Sequence, residues 1–264
     1  MKDDNVNSTS ETSSETAATA GQAGGYPRRR KAEEVVCDRC GLYGLCRMAG
    51  LESGETELLD RIVARRQPVA KGQALYQAGE SFKGVFAVKS GSFKAMAESE
   101  GRVRVVDFHL GGELLGLEAL DGGRYGHTVE ALEAGSVCVM DVDHTDLVGQ
   151  RLLDFQQELI RTMSERIQHD QWLNALIGTQ SAEQRVSAFL VNFSNRLAER
   201  GLPSTEFRLP MSREEIADYL GLALETVSRM FRRFQAQGLL VARGRYTRLF
   251  DLDGLRHAAG MQQR

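Results

Sequence analysis

The chain has 264 residues, a formal net charge of −3 and four cysteines, and its composition is 42% hydrophobic and 26% charged. These values are ordinary for a globular protein of about two domains, and they exclude collagen-like chains, coiled-coil rods and disulfide-rich miniproteins. No apolar run approaches the roughly 20 residues of a membrane-spanning helix, and the first residues lack the apolar core of a signal peptide. We therefore expect a cytoplasmic protein without a membrane partner, in which thiols stay reduced and serve as ligands, redox sensors or packing groups.

Charge is unevenly distributed along the chain. Residues 181–264 contain 13 Lys and Arg against 9 Asp and Glu, a net charge of +4, whereas the rest contains 20 against 27, a net charge of −7. Because nucleic acids are polyanions, any nucleic-acid-binding surface is expected in the last third of the chain.

The first segment, residues 1–34, is predicted to be a disordered tail, because Ser, Thr, Gly and Ala predominate and large apolar residues are nearly absent. Its basic run from Arg28 to Lys31 is more typical of a solvated linker than of a nucleic-acid-binding arm. A cysteine-rich loop over residues 35–50 comes next. The apolar spacing then predicts a short amphipathic helix over residues 51–66.

A β-rich sensory domain is predicted for residues 51–144. Short apolar, partly alternating runs recur there at about ten-residue spacing, with Gly between them; they begin near Ala74, Val85, Ser92, Val103 and Ser136. Six to eight strands of this kind are typical of a small all-β barrel or roll. The expected architecture is a cupin-like jelly roll.

Residues 145–178 are predicted to contain a long dimerisation helix. One face has a heptad pattern, with steps of three and four, formed by Ile160, Met163, Ile167, Asp170, Asn174 and Ile177. A second apolar face, which includes Leu173 and Leu176, is expected to pack on the β domain. The alternative is a core helix of a single chain, because so short a heptad match also arises by chance.

Residues 179–264 are predicted to form a winged helix-turn-helix DNA-binding domain. Ser212 and Glu215 form a capping box that starts a helix, and Gly221 suits the turn that ends it. A second helix follows from about Ala223 to Gln237, with apolar residues spaced to pack on the first. The fold class is therefore predicted as α+β.

The outer face of this second helix carries residue types that read base edges. Glu225, Ser228 and Arg229 project together because they are spaced i, i+3 and i+4. Arg229 is suited to guanine O6 and N7, and Glu225 to cytosine N4. Further basic residues lie along the helix, where phosphates are expected, and on a hairpin that forms a wing: Arg232, Arg233, Arg243, Arg245 and Arg248. The competing interpretation is a solvated amphipathic helix.

The second candidate site consists of three cysteines within ten residues and one distant cysteine: Cys37, Cys40, Cys46 and Cys138. A C-x2-C spacing lets two sulfurs turn to one centre, and a distant thiolate completes a four-sulfur site for an iron–sulfur cluster or zinc. The spacing differs from the paired C-x2-C motifs of zinc ribbons. Taken singly, Cys138 is equally well explained as a small buried residue in a strand.

The order of β-roll, long helix and winged helix, together with the segment from Ser212 to Phe250, resembles the CRP/FNR superfamily of bacterial transcription regulators. The resemblance covers about residues 35–255. It implies a homodimer that binds pseudo-palindromic double-stranded DNA, with the heptad face of the long helix as the interface and the recognition helices about 34 Å apart. It also implies contact with RNA polymerase.

The cysteine spacing, the segment from His109 to Leu120 and the Glu225-x-x-Ser228-Arg229 motif are similar to the oxygen-sensing FNR branch of that superfamily. This resemblance implies a [4Fe–4S] cluster held by all four cysteines, TTGAT-like half-sites and an activator of anaerobic gene expression. No enzyme activity is expected.

Asp170 lies on the heptad face, where it would approach its own mate in a symmetric dimer. We therefore hypothesise that the dimer is weak on its own and that a bound cluster shifts a balance of a few kcal/mol towards it.

Three alternative functions stay open. The first is a DNA-binding regulator with a zinc or thiol–disulfide switch on the same cysteines. The second is a cyclic-nucleotide-responsive regulator, which is disfavoured because the Arg-Ser pair expected about ten residues before Cys138 is replaced by Thr128-Val129. The third, a metalloenzyme, is remote, because the five histidines show no metal-binding spacing.

Overall fold

The structure, a computed structural model, describes residues 63–121, 123–140 and 150–261. These residues belong to one compact unit. The predicted tail, the cysteine-rich loop and most of the helix predicted over residues 51–66 lie outside the described residues. In the described ranges, no helix is both long and apolar enough to cross a membrane.

The N-terminal part is a β-roll. Its described strands are β1 Val63–Val69, β2 Ala74–Tyr76, β3 Val85–Ser90, β4 Phe93–Ser99, β5 Arg102–His109, β6 Leu114–Leu115, β7 Thr128–Ala131 and β8 Gly135–Met140. They form two antiparallel four-stranded sheets, in the orders β1-β8-β3-β6 and β2-β7-β4-β5. The predicted roll is therefore present.

The prediction of a helix over residues 51–66 is wrong for residues 63–66. Residues 63–66 belong to β1, which pairs with β8 from Val63 opposite Met140 to Val69 opposite Gly135. The two strands are distant in sequence, so the local apolar spacing that favoured a helix could not reveal their pairing.

Aromatic and branched side chains fill the space between the two sheets. Phe93 and Val129 are fully buried there, and Tyr76 stacks on Tyr125 with ring centroids 3.9 Å apart. The Tyr125 hydroxyl donates to the Gly84 carbonyl oxygen at 2.9 Å, which satisfies the phenol inside the roll.

Five α-helices and a small sheet make up the described C-terminal part. The helices are α1 Gln150–Thr179, α2 Ala182–Glu199, α3 Arg213–Leu220, α4 Leu224–Ala236 and α5 Leu252–Ala258. The strands β9 Glu206–Arg208, β10 Leu240–Arg243 and β11 Tyr246–Leu249 pair in the antiparallel order β10-β11-β9. Strand β9 and helix α5 were not predicted.

The helix-turn-helix begins and turns at the predicted residues. The Ser212 hydroxyl accepts from the Glu215 N–H at 3.1 Å, and the Glu215 carboxylate accepts from the Ser212 N–H at 2.6 Å. Gly221 ends α3 with φ of 62°, in the left-handed region that favours glycine. Gly244, with φ of 61°, turns the β10–β11 wing.

The roll and the winged helix share one core. Phe108 of β5 lies 5.0 Å from Tyr219 of α3, ring centroid to ring centroid, and also contacts Phe189 of α2. Leu173 and Leu176, from the second apolar face of α1, are buried in the same cluster, which contains residues of both the roll and the C-terminal part. This continuous packing fixes α3 against β5.

Candidate DNA-binding and sensing sites

Helix α4 is held by its apolar face and presents its polar face outward. Val227 and Phe234 are fully buried, whereas Glu225 and Arg229 are exposed and Ser228 is half-buried. The Arg229 guanidinium lies 3.4 Å from the Thr226 hydroxyl. This contact is weak, so the guanidinium is able to reach a ligand. The structure therefore brings the three predicted base-reading residues together on one side of one helix.

The other predicted basic residues have different surroundings. Arg232 is exposed, and Arg243 is exposed at the wing. Arg233 pairs with Glu183 of α2 at 3.1 Å. Arg245 is half-buried and donates to the Pro210 carbonyl oxygen at 2.6 Å. The guanidinium of Arg245 is therefore committed to holding the wing against the segment before α3.

Two residues near the recognition surface were not predicted from the sequence. Arg213 begins α3 and stacks its guanidinium 3.3 Å above the Phe231 ring, where burial lowers its pKa to about 10. Leu224 is exposed in the first turn of α4. A Leu at the start of a helix is common in sequences, so only the exposure of Leu224 in the structure identifies it as a candidate surface residue.

The heptad face of α1 is apolar and largely exposed within the chain. Ile160 is 63% exposed, Ile167 55% and Met163 37%. Leu153, seven residues before Ile160, is 53% exposed and extends the same face by one heptad. We call Leu153, Ile160, Met163, Ile167, Asp170 and Asn174 the seam.

Ile177 does not belong to this exposed surface. It is partly buried and packs against the core of the winged helix in its own chain, near Gly221. Within this chain, the exposed part of the predicted interface therefore ends before Ile177, because the last turn of α1 contacts the DNA-binding domain.

Of the four cysteines, only Cys138 lies within the described residues. It is half-buried on β8, opposite Ala87 of β3. Its neighbours Val137 and Val139 pack with the core of the roll, and side chains alternate along a strand, so Cys138 is on the opposite face. Ser136 and Met140, on the same face of β8 as Cys138, are buried.

A buried ionic cluster joins the roll to the helices. Arg196 of α2 contacts both Glu113 carboxylate oxygens, at 2.8 and 2.6 Å, and Arg200 adds a third contact at 3.1 Å. Burial alone would raise the pKa of Glu113, but the two guanidiniums outweigh it and lower the pKa to about 2. Burial lowers the pKa of His109 nearby to about 4.

These shifts predict loss of stability in acid. The unfolded chain binds more protons than the folded one between about pH 6.5 and 4 at His109, and between about 4.5 and 2 at Glu113. The contribution of ionised Glu113, of the order of 3 kcal/mol at neutral pH, should therefore vanish as pH falls towards 2. Urea unfolding of wild type and Glu113→Gln from pH 7 to pH 3 measures this, and the difference between them should shrink with falling pH. A constant difference would contradict the assignment.

A cavity of about 460 Å³ lies between the roll and α1. Its polar lining includes Glu118, His127, Arg166 and Asp170. Arg166 is bound to Asp107 and Asp170, and His127 lies 3.7 Å from Glu118. Carboxylates thus already contact Arg166 and His127, so the lining is poorly suited to a phosphate.

Comparison with known proteins agrees with this architecture. The family model of the Crp-like helix-turn-helix domain matches residues 184–258, and that of the cyclic nucleotide-binding domain matches residues 66–148. The chain is 41% identical to the transcriptional activator protein FnrA of Stutzerimonas stutzeri, over 88% of this chain and 95% of FnrA. It is 37% identical to the fumarate and nitrate reduction regulatory protein of Escherichia coli, over 86% and 91%. The structure of FixK2 from Bradyrhizobium japonicum superposes with a TM-score of 0.67 at 29% identity, over 75% and 98%.

Proposed function

Since the chain belongs to the CRP/FNR family of transcriptional regulators, which act by binding DNA and not by catalysis, we propose that it is a cytoplasmic, oxygen-responsive activator of anaerobic gene expression. The observation that carries this proposal is the outward face of α4, which holds Glu225, Ser228 and Arg229 together.

The DNA site is a TTGAT-like half-site. The Arg229 guanidinium forks onto O6 and N7 of its guanine, and the Glu225 carboxylate accepts from N4 of the paired cytosine. Ser228 contacts a neighbouring base or phosphate. Arg232 and Arg243, both exposed, neutralise phosphates and fix the register. Arg233 and Arg245 support the domain through Glu183 and Pro210 and contribute less to DNA binding.

The DNA-binding form is a homodimer joined along the seam. A face with four large apolar side chains more than one-third exposed is costly in a monomer, and a second copy of the same face buries it symmetrically. The two copies of α4 then meet half-sites one helical turn apart, which requires an inverted repeat. RNA polymerase contacts the bound dimer.

The sensor is a [4Fe–4S] cluster bound by Cys37, Cys40, Cys46 and Cys138. Such a cluster supplies a centre that oxygen destroys, and thiolates are its usual protein ligands. Cys138 supports this assignment because it lies on the face of β8 away from the core. Residues 35–50 would be tied to the roll when the cluster is bound, which favours the dimer against the Asp170 repulsion on the seam.

Two alternatives make different predictions. With zinc or a disulfide on the same cysteines, the anaerobically purified protein is colourless. A cyclic-nucleotide-responsive regulator needs a cation facing the phosphate in the cavity. The carboxylates already paired with Arg166 and His127 disfavour that ligand.

Replacing Arg229 with alanine tests the DNA-binding assignment. Each lost guanine contact is worth about 1–3 kcal/mol, so affinity for an inverted TTGAT repeat should fall at least about tenfold. Fluorescence anisotropy under anaerobic conditions measures it. Replacing the guanine and its paired cytosine should weaken the wild type more than the variant, because Arg229→Ala retains only the Glu225 contact to that pair. Arg232→Gln should weaken binding to both duplexes equally. Equal discrimination by wild type and Arg229→Ala would refute the assignment.

A further inference from the structure

Arg166 connects the seam of α1 to the interior of the roll. Its Nη1 contacts Oδ2 of Asp107 on β5, and its Nη2 lies 3.2 Å from Oδ1 of Asp170, one helical turn further along α1. One guanidinium therefore serves two carboxylates that belong to different parts of the fold.

The contact with Asp107 anchors the guanidinium. Asp107 is 1% exposed, so its carboxylate requires compensation by nearby positive charge. The imidazole Nε2 of His109 is 3.2 Å away, but burial lowers the pKa of His109 to about 4, which leaves that ring neutral at pH 7. Nε2 of His169 is further, at 3.8 Å from the other oxygen, which has no hydrogen-bond partner among the described residues. Arg166 is therefore the permanently charged group that directly contacts the Asp107 carboxylate, and this contact fixes the position of the Arg166 guanidinium.

The contact with Asp170 places the same charge beside the seam. The Asp170 side chain is 49% exposed, and Arg166 immediately precedes Ile167 on the flank of the seam. In a symmetric dimer, each Asp170 faces the other across the two-fold axis, so the two carboxylates repel. A guanidinium held near each carboxylate reduces that repulsion.

We propose that Arg166 is a positioning residue for dimerisation, because Asp107 holds its guanidinium where it offsets the charge of Asp170 on the seam. The inference rests on the proposed dimer and deepens it, because it makes the strength of association depend on β5 of the sensory roll. Displacement of β5 relative to α1 would move the countercharge and weaken the dimer.

Sedimentation equilibrium of the full-length protein under anaerobic conditions tests the proposal. Without the guanidinium, the two Asp170 carboxylates repel each other across the two-fold axis with less compensation, so Arg166→Gln should raise the dimer dissociation constant about tenfold. Arg166→Lys retains the charge and should recover most of the association. Far-ultraviolet circular dichroism establishes that each variant is folded at the temperature used.

A matched control lies on the same helix. Arg161 pairs with Glu165 at the same i, i+4 spacing, and both residues are exposed and off the seam. Arg161→Gln should therefore leave the dissociation constant unchanged. An increase equal to that of Arg166→Gln would overturn the proposal, because any loss of positive charge would then suffice.

The Asp170→Asn background separates the possible failures. In that background, Arg166→Gln should have little effect on dimerisation, because no carboxylate remains to offset. The same weakening in both backgrounds would overturn the proposal in favour of packing, and no weakening in the native background would also overturn it. If Ile160→Glu, a change in the apolar part of the seam, left the dissociation constant unchanged, the seam itself would be misassigned, and the proposed dimer would fail with this inference.

Discussion

Replacing Arg196 with methionine should lower the free energy of unfolding by about 3–5 kcal/mol, because it leaves Glu113 buried without its principal countercharge. The side chains of Arg196 and Glu113 are each only 13% exposed, and they meet through two nitrogen–oxygen contacts. Arg196 also donates to the Phe108 carbonyl oxygen of β5. Urea unfolding followed by circular dichroism measures the change.

The corresponding double variant and a surface pair are the controls for Arg196. Arg196→Met combined with Glu113→Gln should recover part of the lost stability, since no carboxylate is then left without its partner. Arg256 pairs with Asp253 at 2.7 Å in a more exposed setting, so Arg256→Met should cost less than about 1 kcal/mol. If Arg196→Met and Arg256→Met lowered stability equally, the cluster would not be the strong link between the roll and α2 that we describe.

Replacing Cys138 with serine should abolish cluster binding and reduce the DNA affinity of the anaerobic protein to that of the air-exposed wild type. Serine is nearly isosteric with cysteine but a poor ligand for iron, and loss of one of four thiolates should weaken the site by at least about 100-fold. Iron and sulfide per chain, together with anisotropy on the TTGAT repeat, measure both effects.

The position of Cys138 makes this variant easy to interpret. It is half-buried on the face of β8 away from the core of the roll, so Cys138→Ser should leave the thermal unfolding midpoint of the metal-free protein within a few degrees of the wild-type value. A variant that retained a full complement of iron would show that the fourth ligand is another residue. A wild-type protein that contains zinc and no iron would favour the alternative switch.

Features with a local cause were predictable from sequence. The capping box at Ser212 and the left-handed turn at Gly221 depend on neighbouring residues, and both occur where the sequence predicts them. The buried face of α4 follows from its 3.6-residue period, which brings Val227 and Phe234 inward.

Features with a non-local cause were not predictable. Strand β1 is stabilised by β8, about 70 residues away, and the partners Glu113 and Arg196 are 83 residues apart. No spacing in the sequence encodes such pairs. Likewise, only the structure reveals that Arg245, which the sequence predicts as a DNA contact, donates to the Pro210 carbonyl oxygen.

We propose that an oxygen-sensitive cluster controls dimerisation and DNA binding. The most direct test is to purify the protein without oxygen and measure sedimentation and binding to the TTGAT repeat on one sample, before and after exposure to air. The anaerobic protein should be brown, contain one [4Fe–4S] cluster per chain, sediment as a dimer and bind the duplex. In air the protein should bleach, dissociate and release the DNA. A colourless anaerobic protein, or one whose mass and DNA affinity do not change in air, would contradict control by such a cluster.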